Sequence, residues 1–306
     1  MKIMVFDVGG TEIKYSVMDE QMHRTDSGAV PTPQDTQAQF LDAVYRLYAP
    51  HKDEVTGIAM ALPGFVDNRT GYVSNGGALL YNTATPVGQL LAEKCGCPVI
   101  LENDGKAAAM AELANGALKG CCNAAVFIIG TGVGGGIIAN GQLVRGVHFT
   151  AGEYSFVNTN AEAWDAPDQN MACQCSTSNL LKWYRARKAL PEDAPLDGRS
   201  FFAAANAGEP EALEVLRRFC HAVAVQIYNL TVLLDVEKVA IGGGISKQPL
   251  LLESLRSAYD GLYASRAGQA YMEGLHRCQI VPCAFSSEAN QVGVAAAYFE
   301  AMQKKC

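Results

Sequence analysis

The sequence predicts an α/β protein of two related lobes with a cleft between them. Two glycine-rich segments, residues 4–15 and 126–138, each run from an apolar strand through a turn with glycines and a threonine into a second apolar strand. Strands and helices alternate after each of them, so one order of elements occurs twice. The predicted N-terminal lobe spans residues 1–119 and the C-terminal lobe residues 120–288, while the last helix, about residues 289–306, packs back on the first lobe.

The first lobe is predicted to open with a β-meander. In its second strand, Ile13, Tyr15 and Val17 alternate with Lys14 and Ser16, which is typical of a strand that is buried on one face only. The other predicted elements are a strand over residues 3–7, a helix over 37–47, a strand over 55–62, a strand over 99–101 and an alanine-rich helix over 105–118.

The second lobe is predicted to repeat this order. Asn140-Gly141 is a strong signal for a two-residue hairpin. Around it we predict strands over residues 124–129, 136–139 and 142–144, followed by a helix over 211–234, a strand over 239–241, a helix through 250 and 255, and a closing helix over 289–302.

Composition limits the possible classes of protein. The 306 residues can form two cores, and the net charge of −7 argues against a nucleic-acid or anionic-membrane partner. No signal peptide is recognised, and the longest apolar run without charge is broken by glycines, so no membrane span is expected. Most of the ten cysteines are expected to be reduced thiols in a cytoplasmic protein.

The two glycine-rich turns predict binding of a nucleotide's phosphates. Glycines let backbone N–H groups approach an anion closely, and each threonine adds a hydroxyl donor. Gly130, Gly132 and Gly135 also satisfy the dinucleotide-binding pattern, but the residues that follow favour a strand, whereas that fingerprint must open a helix. There is no P-loop pattern. The sequence therefore indicates an ATP-using enzyme.

Three further sites carry polar or glycine residues next to buried strands, each with a structural alternative. Asp7 either bonds its own turn or positions Mg²⁺ beside the phosphates, with Thr11 and Lys14 alongside. Asp104 is either merely the N-cap of its helix or the base that takes a proton from a phosphoryl acceptor. Residues 242–244, three glycines, either form a simple turn or leave room for adenine and ribose.

These segments together resemble the ROK family of bacterial sugar kinases and related repressors. Residues 7–14 (Asp-Val-Gly-Gly-Thr-Glu-Ile-Lys) resemble its first phosphate motif, and Glu-Asn-Asp at 102–104 its catalytic motif. Residues 130–136 are similar to the second phosphate motif and residues 151–153 to the sugar-binding segment. The resemblance covers nearly the whole chain. It implies a two-lobed actin-like ATPase (ribonuclease H-like) fold and ATP-dependent phosphorylation of a sugar hydroxyl, commonly the 6-hydroxyl.

The resemblance also implies roles for individual residues. Asp104 is implied as the catalytic base, and Asn103, Asp104, Glu153 and Gly64 as contacts of the sugar. The implied ATP and Mg²⁺ site consists of Asp7, which would position the Mg²⁺ through water, and of Gly9, Gly10, Thr11, Lys14, Thr131, Gly132, Gly243 and Gly244.

The sequence departs from the family pattern around its zinc site. Members of the family typically have a His, which serves the sugar or a structural zinc, three residues after the Glu at position 153, but Phe156 stands there. Cys173 and Cys175 match two zinc ligands, whereas the third is replaced by Leu180, and a Glu that follows it is replaced by Lys182. With two of four ligands missing, we predict no zinc. These changes resemble the zinc-less branch that includes β-glucoside kinases.

The predicted protein is a cytoplasmic sugar kinase that acts on a hexose or a hexose glycoside. Its cofactors would be ATP and Mg²⁺, its partner a small-molecule sugar, and its assembly a homodimer. A sugar-responsive repressor would need a DNA-binding segment before the kinase core, which begins here at residue 3. A non-catalytic sugar sensor of the same fold stays open as the alternative.

Overall fold

The computed structural model describes residues 1–303, so Cys306 and the predicted end of the last helix lie outside the described residues. The chain forms two compact units. The first comprises Met1–Gly116, Leu143–Ala151 and the described chain from Ser287, and the second comprises Ala117–Gln142 and Gly152–Ser286. Each unit has its own hydrophobic core. No helix in residues 1–303 has the length and apolar character needed to cross a membrane.

The first unit is built on a five-stranded sheet with the order β3-β2-β1-β4-β7. The strands β1, β2 and β3 are antiparallel to one another, whereas β1, β4 and β7 are parallel. The carboxyl ends of β1, β4 and β7 therefore lie at one edge of the sheet. The strands are β1 (Lys2–Val8), β2 (Glu12–Asp19), β3 (Arg24–Pro31), β4 (Ile58–Leu62) and β7 (Val99–Asn103), and a separate two-stranded sheet contains β5 (Phe65–Asp67) and β6 (Tyr72–Asn75).

Two of the helices in the first unit pack unusually closely against each other. A Cβ added at Gly293 would lie 1.7 Å from the carbonyl oxygen of Ala107, so only glycine permits this approach. The small side chains of the alanine-rich partner helix serve the same close contact, and every residue from Gly105 to Glu112 is buried. The helices are α1 (Gln37–Tyr48), α2 (Val87–Cys95), α3 (Asp104–Asn115) and α9 (Ala289–Gln303), of which α3 and α9 form this pair.

The prediction of one solvent-facing side for β2 is wrong at Ser16. Ser16 is fully buried, and its hydroxyl donates to Oε1 of Gln291 on α9 (3.4 Å). The alternation in β2 is therefore not a sign of solvent exposure, because a helix from the far end of the chain covers that face.

The second unit repeats the strand succession of the first, with the order β10-β9-β8-β11-β12. The strand β9 runs antiparallel to β8, while β11 is parallel to both β8 and β12. The strands are β8 (Ala124–Ile129), β9 (Val133–Ala139), β10 (Gln142–Leu143), β11 (Lys238–Gly242) and β12 (Gln279–Pro282). The helices are α4 (Met171–Gln174), α5 (Thr177–Arg187), α6 (Gly198–Asn206), α7 (Pro210–Leu234) and α8 (Pro249–Ala264).

The two predictions about the chain around β9 are confirmed. The segment after the glycines is a strand, so no helix opens there to receive a dinucleotide. Asn140 and Gly141 have φ angles of 52° and 70°, as a type I′ hairpin turn requires. The strand is longer than predicted and begins at Val133.

Candidate active site

The turn between β1 and β2 is held in place through its carbonyl groups. Thr32 donates its hydroxyl to the carbonyl of Gly9 (2.8 Å) and its N–H to the carbonyl of Thr11 (3.0 Å). Gln34 Nε2 donates to the carbonyl of Gly10 (2.7 Å). Within residues 1–303, the N–H groups of Gly10 and Thr11 make no hydrogen bond. The turn thus has satisfied acceptors and two available donors, an arrangement suited to a phosphate oxygen.

Asp7 is a buried carboxylate whose charge is only partly compensated. It is the penultimate residue of β1, and Nδ2 of Asn290, in the first turn of α9, donates to its Oδ1 (2.9 Å). Lys14 lies opposite Asp7 in the β1–β2 ladder. Burial raises the pKa of Asp7 more than the Asn290 hydrogen bond and the Lys14 charge lower it. Such a carboxylate gains from a nearby cation, which fits a role at Mg²⁺.

Asn103, and not Asp104, caps α3. Asn103 Oδ1 accepts from the N–H of Lys106 (3.0 Å), so the alternative that Asp104 is merely the N-cap is wrong. Asp104 is the first residue of the helix, and its Oδ1 accepts from the N–H of Gly105 (2.7 Å) and from Nδ2 of Asn103 (3.1 Å). The carboxylate of Asp104 is therefore oriented by its neighbours without being needed to start the helix.

Gly64 joins this group through its backbone. Its carbonyl accepts from Nδ2 of Asn103 (2.9 Å). Its φ of +92° lies in the left-handed region, and an added Cβ would lie 2.0 Å from the carbonyl oxygen of Asn75. Glycine is therefore required there for Asn103 to be held.

Asp7 and the catalytic motif lie at the same edge of one sheet. Asp7 pairs with Ala61 and Ala61 pairs with Glu102 across β1, β4 and β7. Because neighbouring strands are about 4.8 Å apart, the Cα atoms of Asp7 and Glu102 are separated by roughly 10 Å. Asp104 follows two residues later, so a cation at Asp7 and an acceptor at Asp104 would lie on the same side of the molecule's first sheet.

Glu102 has a structural partner. It is fully buried, and Nε and Nη2 of Arg145 both lie 2.8 Å from its Oε2. Its Oε1 accepts from the N–H of Asn103 (3.1 Å). Glu102 thus connects Arg145 to the backbone of the catalytic motif, and sequence reasoning missed Arg145 because it lies 43 positions away.

The turn between β8 and β9 is fixed by two later segments. The N–H of Thr177, at the start of α5, donates to the carbonyl of Gly130 (2.8 Å). The hydroxyl of Ser155 accepts from the N–H of Val133 (3.2 Å) and donates to its carbonyl (3.0 Å). Thr131, between these braced ends, is exposed. This turn therefore presents its threonine hydroxyl from a rigid base.

Gly243 lies against Ile129, the last residue of β8. Its φ is +96°, and an added Cβ would lie 2.1 Å from the carbonyl oxygen of Ile129. The hydroxyl of Thr177 also donates to that carbonyl (3.4 Å). The glycine turn after β11 and the second phosphate turn are therefore adjacent, whereas no heavy atom lies within 4 Å of a Cβ built at Gly244.

Glu153 precedes a short 3₁₀ turn (Tyr154–Phe156) that is anchored to β9. Tyr154 is buried, its hydroxyl donates to the carbonyl of Gly136 (3.1 Å), and its ring packs on Phe127. Phe156, in the position where the resemblance has a His that serves the sugar or zinc, is 71% exposed. The turn is thus held by Tyr154 and Ser155 rather than by a metal ligand at position 156.

Cys173 and Cys175, which match two zinc ligands of the family, contact protein groups in this structure. Cys175 and Leu180 are buried, and burial raises the pKa of the Cys175 thiol to about 12, which disfavours the thiolate that zinc would need. The thiol of Cys173 donates to the carbonyl of Pro167 (3.7 Å). Among residues 1–303, no three His, Cys, Asp or Glu side chains are grouped to hold a metal ion, and the prediction of no zinc awaits measurement.

The predicted site residues fall into two groups, one in each unit. Sequence reasoning missed five residues that fix the site from other parts of the chain. Thr32, Gln34 and Asn290 bond predicted residues, whereas Arg145 and Ser155 bond the neighbouring Glu102 and Val133. The first group is Asp7, Gly9, Gly10, Thr11, Lys14, Gly64, Asn103 and Asp104, and the second is Thr131, Gly132, Glu153, Gly243 and Gly244.

Comparisons with known proteins agree with this arrangement. A profile of the ROK family matches residues 3–303. The β-glucoside kinase of Listeria innocua is 31% identical over 258 residues, covering 84% of this chain and 87% of that protein. A ROK family protein from Streptococcus pneumoniae in complex with sucrose superimposes with a TM-score of 0.86 at 28% identity, covering 99% of this chain and all of that one. A ROK family glucokinase from Streptomyces griseus, in complex with glucose and AMPPNP, superimposes with a TM-score of 0.79 at 25% identity, covering 97% and 99% of the two chains.

The fold and its two glycine-rich turns thus define a carbohydrate kinase with the two-lobed actin-like ATPase fold. Within that class, the chain belongs to the ROK family.

Proposed function

We propose that this kinase transfers the γ-phosphoryl group of ATP to the 6-hydroxyl of a hexose or a hexose glycoside. The observation that carries the proposal is the oriented carboxylate of Asp104. Hydrogen bonds from Asn103 and Gly105 fix its Oδ1, at the same sheet edge as Asp7. A base that is held in one orientation loses little entropy when it meets the acceptor.

The phosphates of ATP would be held by the two glycine-rich turns. The N–H groups of Gly10 and Thr11 and the hydroxyl of Thr131 supply donors, with Lys14 as a nearby positive charge. Gly243 and Gly244 follow β11 beside the second turn, where bare backbone would accept the adenine and ribose. Catalysis by positioning and electrostatics suits phosphoryl transfer, which asks for little covalent chemistry from the protein.

Asp7 fits a role at Mg²⁺. Its pKa is raised by burial, so ionisation is favoured when a cation lies close to it. When bound, Mg²⁺ would neutralise charge on the phosphates of ATP. Asn290 would keep the carboxylate of Asp7 in one orientation, because its Nδ2 donates to Oδ1 in the protein alone.

The acceptor sugar would be held by Asn103 and Glu153. Both Nδ2 hydrogens of Asn103 are already given to Gly64 and Asp104, so Asn103 can offer the sugar only the remaining lone pair of Oδ1. It would therefore accept from a sugar hydroxyl. The similar proteins include a β-glucoside kinase, a protein bound to sucrose and a glucokinase bound to glucose, which supports both a hexose and a hexose glycoside as acceptors.

The proton balance of the reaction falls on Asp104. Its carboxylate would take the proton of the acceptor hydroxyl as the oxygen forms a bond to the γ-phosphorus and the bond from that phosphorus to ADP breaks. The product is a sugar phosphate, and Asp104 leaves the step protonated.

A panel of sugars in a coupled assay for ADP tests the proposal. We expect turnover with hexoses or hexose glycosides, and ³¹P and ¹³C NMR of the product should show the phosphate on the oxygen of C6. A product that carries phosphate on another oxygen would contradict the regiochemistry, and absence of turnover with every hexose and glycoside would contradict the substrate class.

The Asp104→Asn variant tests the base. The amide cannot accept the proton, so kcat should fall roughly 10²- to 10⁴-fold. The fold should persist because Asn103 caps α3. Asp42→Asn is the matched control, since Asp42 is an exposed aspartate paired with Lys94. A kcat for Asp104→Asn close to that of the control would remove Asp104 from this role.

A further inference from the structure

A single hydroxyl joins the second phosphate turn to the segment of Glu153. The Oγ of Ser155 accepts from the N–H of Val133 (3.2 Å) and donates to the carbonyl of the same residue (3.0 Å). A serine hydroxyl can do both at once, because it carries one donor and two lone pairs. Ser155 follows Glu153 by two residues, so the segment proposed to bind the sugar is also bonded to the first residue of β9.

Val133 closes the turn that presents the proposed phosphate donors. It pairs with Ile129 of β8, and within the turn between them the N–H of Gly130 donates to the carbonyl of Gly132 (3.0 Å). Within residues 1–303, the N–H groups of Thr131 and Gly132 make no hydrogen bond, so both are available to a phosphate. A shift of Val133 would therefore move the donors proposed for ATP.

The 3₁₀ turn that carries Ser155 has little room to move independently of the β8–β9 hairpin. Tyr154 is buried, its hydroxyl donates to the carbonyl of Gly136, and its ring would lie 3.0 Å from a Cβ built at Gly135. On the other side, a Cβ built at Gly132 would lie 3.2 Å from Oγ of Ser155. Because the contacts on both sides are this close, the 3₁₀ turn and the hairpin should move together.

We propose that Ser155 is a positioning residue through which the sugar and ATP strengthen each other's binding. The inference rests on the proposed function, since it takes Glu153 as a sugar contact and Thr131 as a phosphate contact. A sugar bound at Glu153 restricts the 3₁₀ turn, and through Ser155 it restricts the phosphate turn as well. Part of the entropy that ATP must remove to order that turn is then already lost, so ATP binds more tightly. Linkage requires that ATP raise the affinity for the sugar by the same factor.

Isothermal titration calorimetry measures this coupling, with Mg²⁺ and AMPPNP in place of ATP. The sugar probe is whichever of glucose, methyl β-glucoside and cellobiose is phosphorylated fastest. In the wild type, saturating sugar should lower the Kd of AMPPNP roughly 5- to 150-fold, the usual range for coupled sites. Ser155→Ala removes both hydrogen bonds to Val133 and should abolish most of this gain in affinity. A Kd that sugar leaves unchanged in the wild type would overturn the proposal.

Two further variants separate positioning from stability. Ser155→Thr keeps the hydroxyl and should keep the gain, and its loss there would remove the hydroxyl as the cause. Ser265→Ala is the matched control, since the hydroxyl of Ser265 also donates to a backbone carbonyl, that of Leu262 (2.8 Å), at the end of α8. If Ser155 were only structural, Ser155→Ala would lower Tm and leave the gain unchanged. That result, or an equal loss of the gain in Ser265→Ala, would overturn the proposal.

Hydrogen exchange follows the same connection without a nucleotide and without a variant. The N–H of Val133 is bonded to Ser155, so the sugar should slow exchange at Val133 together with the amides around Glu153. Slower exchange around Glu153 with no change at Val133, for a sugar that is phosphorylated, would overturn the coupling and leave the proposed function standing. If no hexose or glycoside is phosphorylated, the proposed function itself fails, and this inference fails with it.

Discussion

At the scale of single residues, the side chains of the catalytic motif are already committed to fixed partners, whereas the N–H groups of Gly10 and Thr11 are available. Asn103 uses one oxygen and both amide hydrogens to hold α3, Gly64 and Asp104. Asp7 is only partly compensated, because burial outweighs the Asn290 hydrogen bond and raises the pKa of its carboxyl group. Without a ligand, burying this carboxylate costs free energy, and a bound cation would remove that cost. Perturbed groups of this kind are common at functional sites.

The raised pKa of Asp7 predicts a pH-dependent gain of stability in Asp7→Asn. The folded protein binds a proton at Asp7 more tightly than the unfolded chain does, because in the unfolded chain the pKa of Asp7 is near 3.8. Ionised Asp7 therefore destabilises the fold above its folded pKa, and this cost vanishes as the pH falls below 3.8. Without ATP or Mg²⁺, Tm of Asp7→Asn should exceed that of the wild type at pH 7 and equal it near pH 3.

Thermal unfolding followed by circular dichroism over this pH range measures Tm. Asp42→Asn is the control, because the pKa of Asp42 is shifted in the opposite direction. The hydrogen bond and charge of Lys94 lower the pKa of Asp42, so its replacement should not stabilise the protein at pH 7. A Tm for Asp7→Asn below that of the wild type at pH 7 would contradict the direction of the shift.

At the scale of elements, each glycine-rich turn depends on a segment that is distant in sequence. Thr32 and Gln34, just beyond β3, hold the first turn, while Ser155 and the start of α5 hold the second. The short segment Leu143–Ala151 does the same for the catalytic motif, since its Arg145 pairs with Glu102.

Arg145→Met should strongly destabilise the first unit. It leaves the carboxylate of Glu102 buried and unpaired, and breaking a buried ion pair from one side costs about 3–5 kcal/mol. Adding Glu102→Gln should recover part of this loss, because the buried charge is removed. Urea denaturation of the two single variants and the double variant measures the coupling, and additive effects would show that the pair is not coupled.

At the scale of the whole molecule, sequence patterns predict what is local and miss what is distant. The two strand–turn–strand segments and the hairpin at Asn140 are confirmed, because each depends on a few consecutive residues. The solvent-facing side of β2 is wrong, since Gln291 lies 275 positions from Ser16. Asn290 was not predicted for the same reason: 283 positions separate it from Asp7. Periodicity within a strand carries no information about a helix that packs on it from so far along the chain.

The second unit is expected to fold without zinc. Cys175 and Leu180 are buried in its core, and Tyr154 and Ser155 anchor the turn where the family resemblance has its His. Elemental analysis of purified protein should find no stoichiometric zinc, and treatment with EDTA should leave Tm unchanged. One zinc per chain that survives mild chelation would overturn this and would imply other ligands.

The discontinuous first unit has a consequence for synthesis on the ribosome. Ser16 is translated 275 residues before Gln291, which corresponds to roughly 14–55 s at typical elongation rates. Throughout that interval, β2 and α3 lack the helix that covers them, and Asp7 lacks Asn290. The nascent N-terminal half thus keeps an apolar face open to chaperones while the second unit is made. A chain cut before α9 carries both phosphate turns but leaves Asp7 without the amide that orients it.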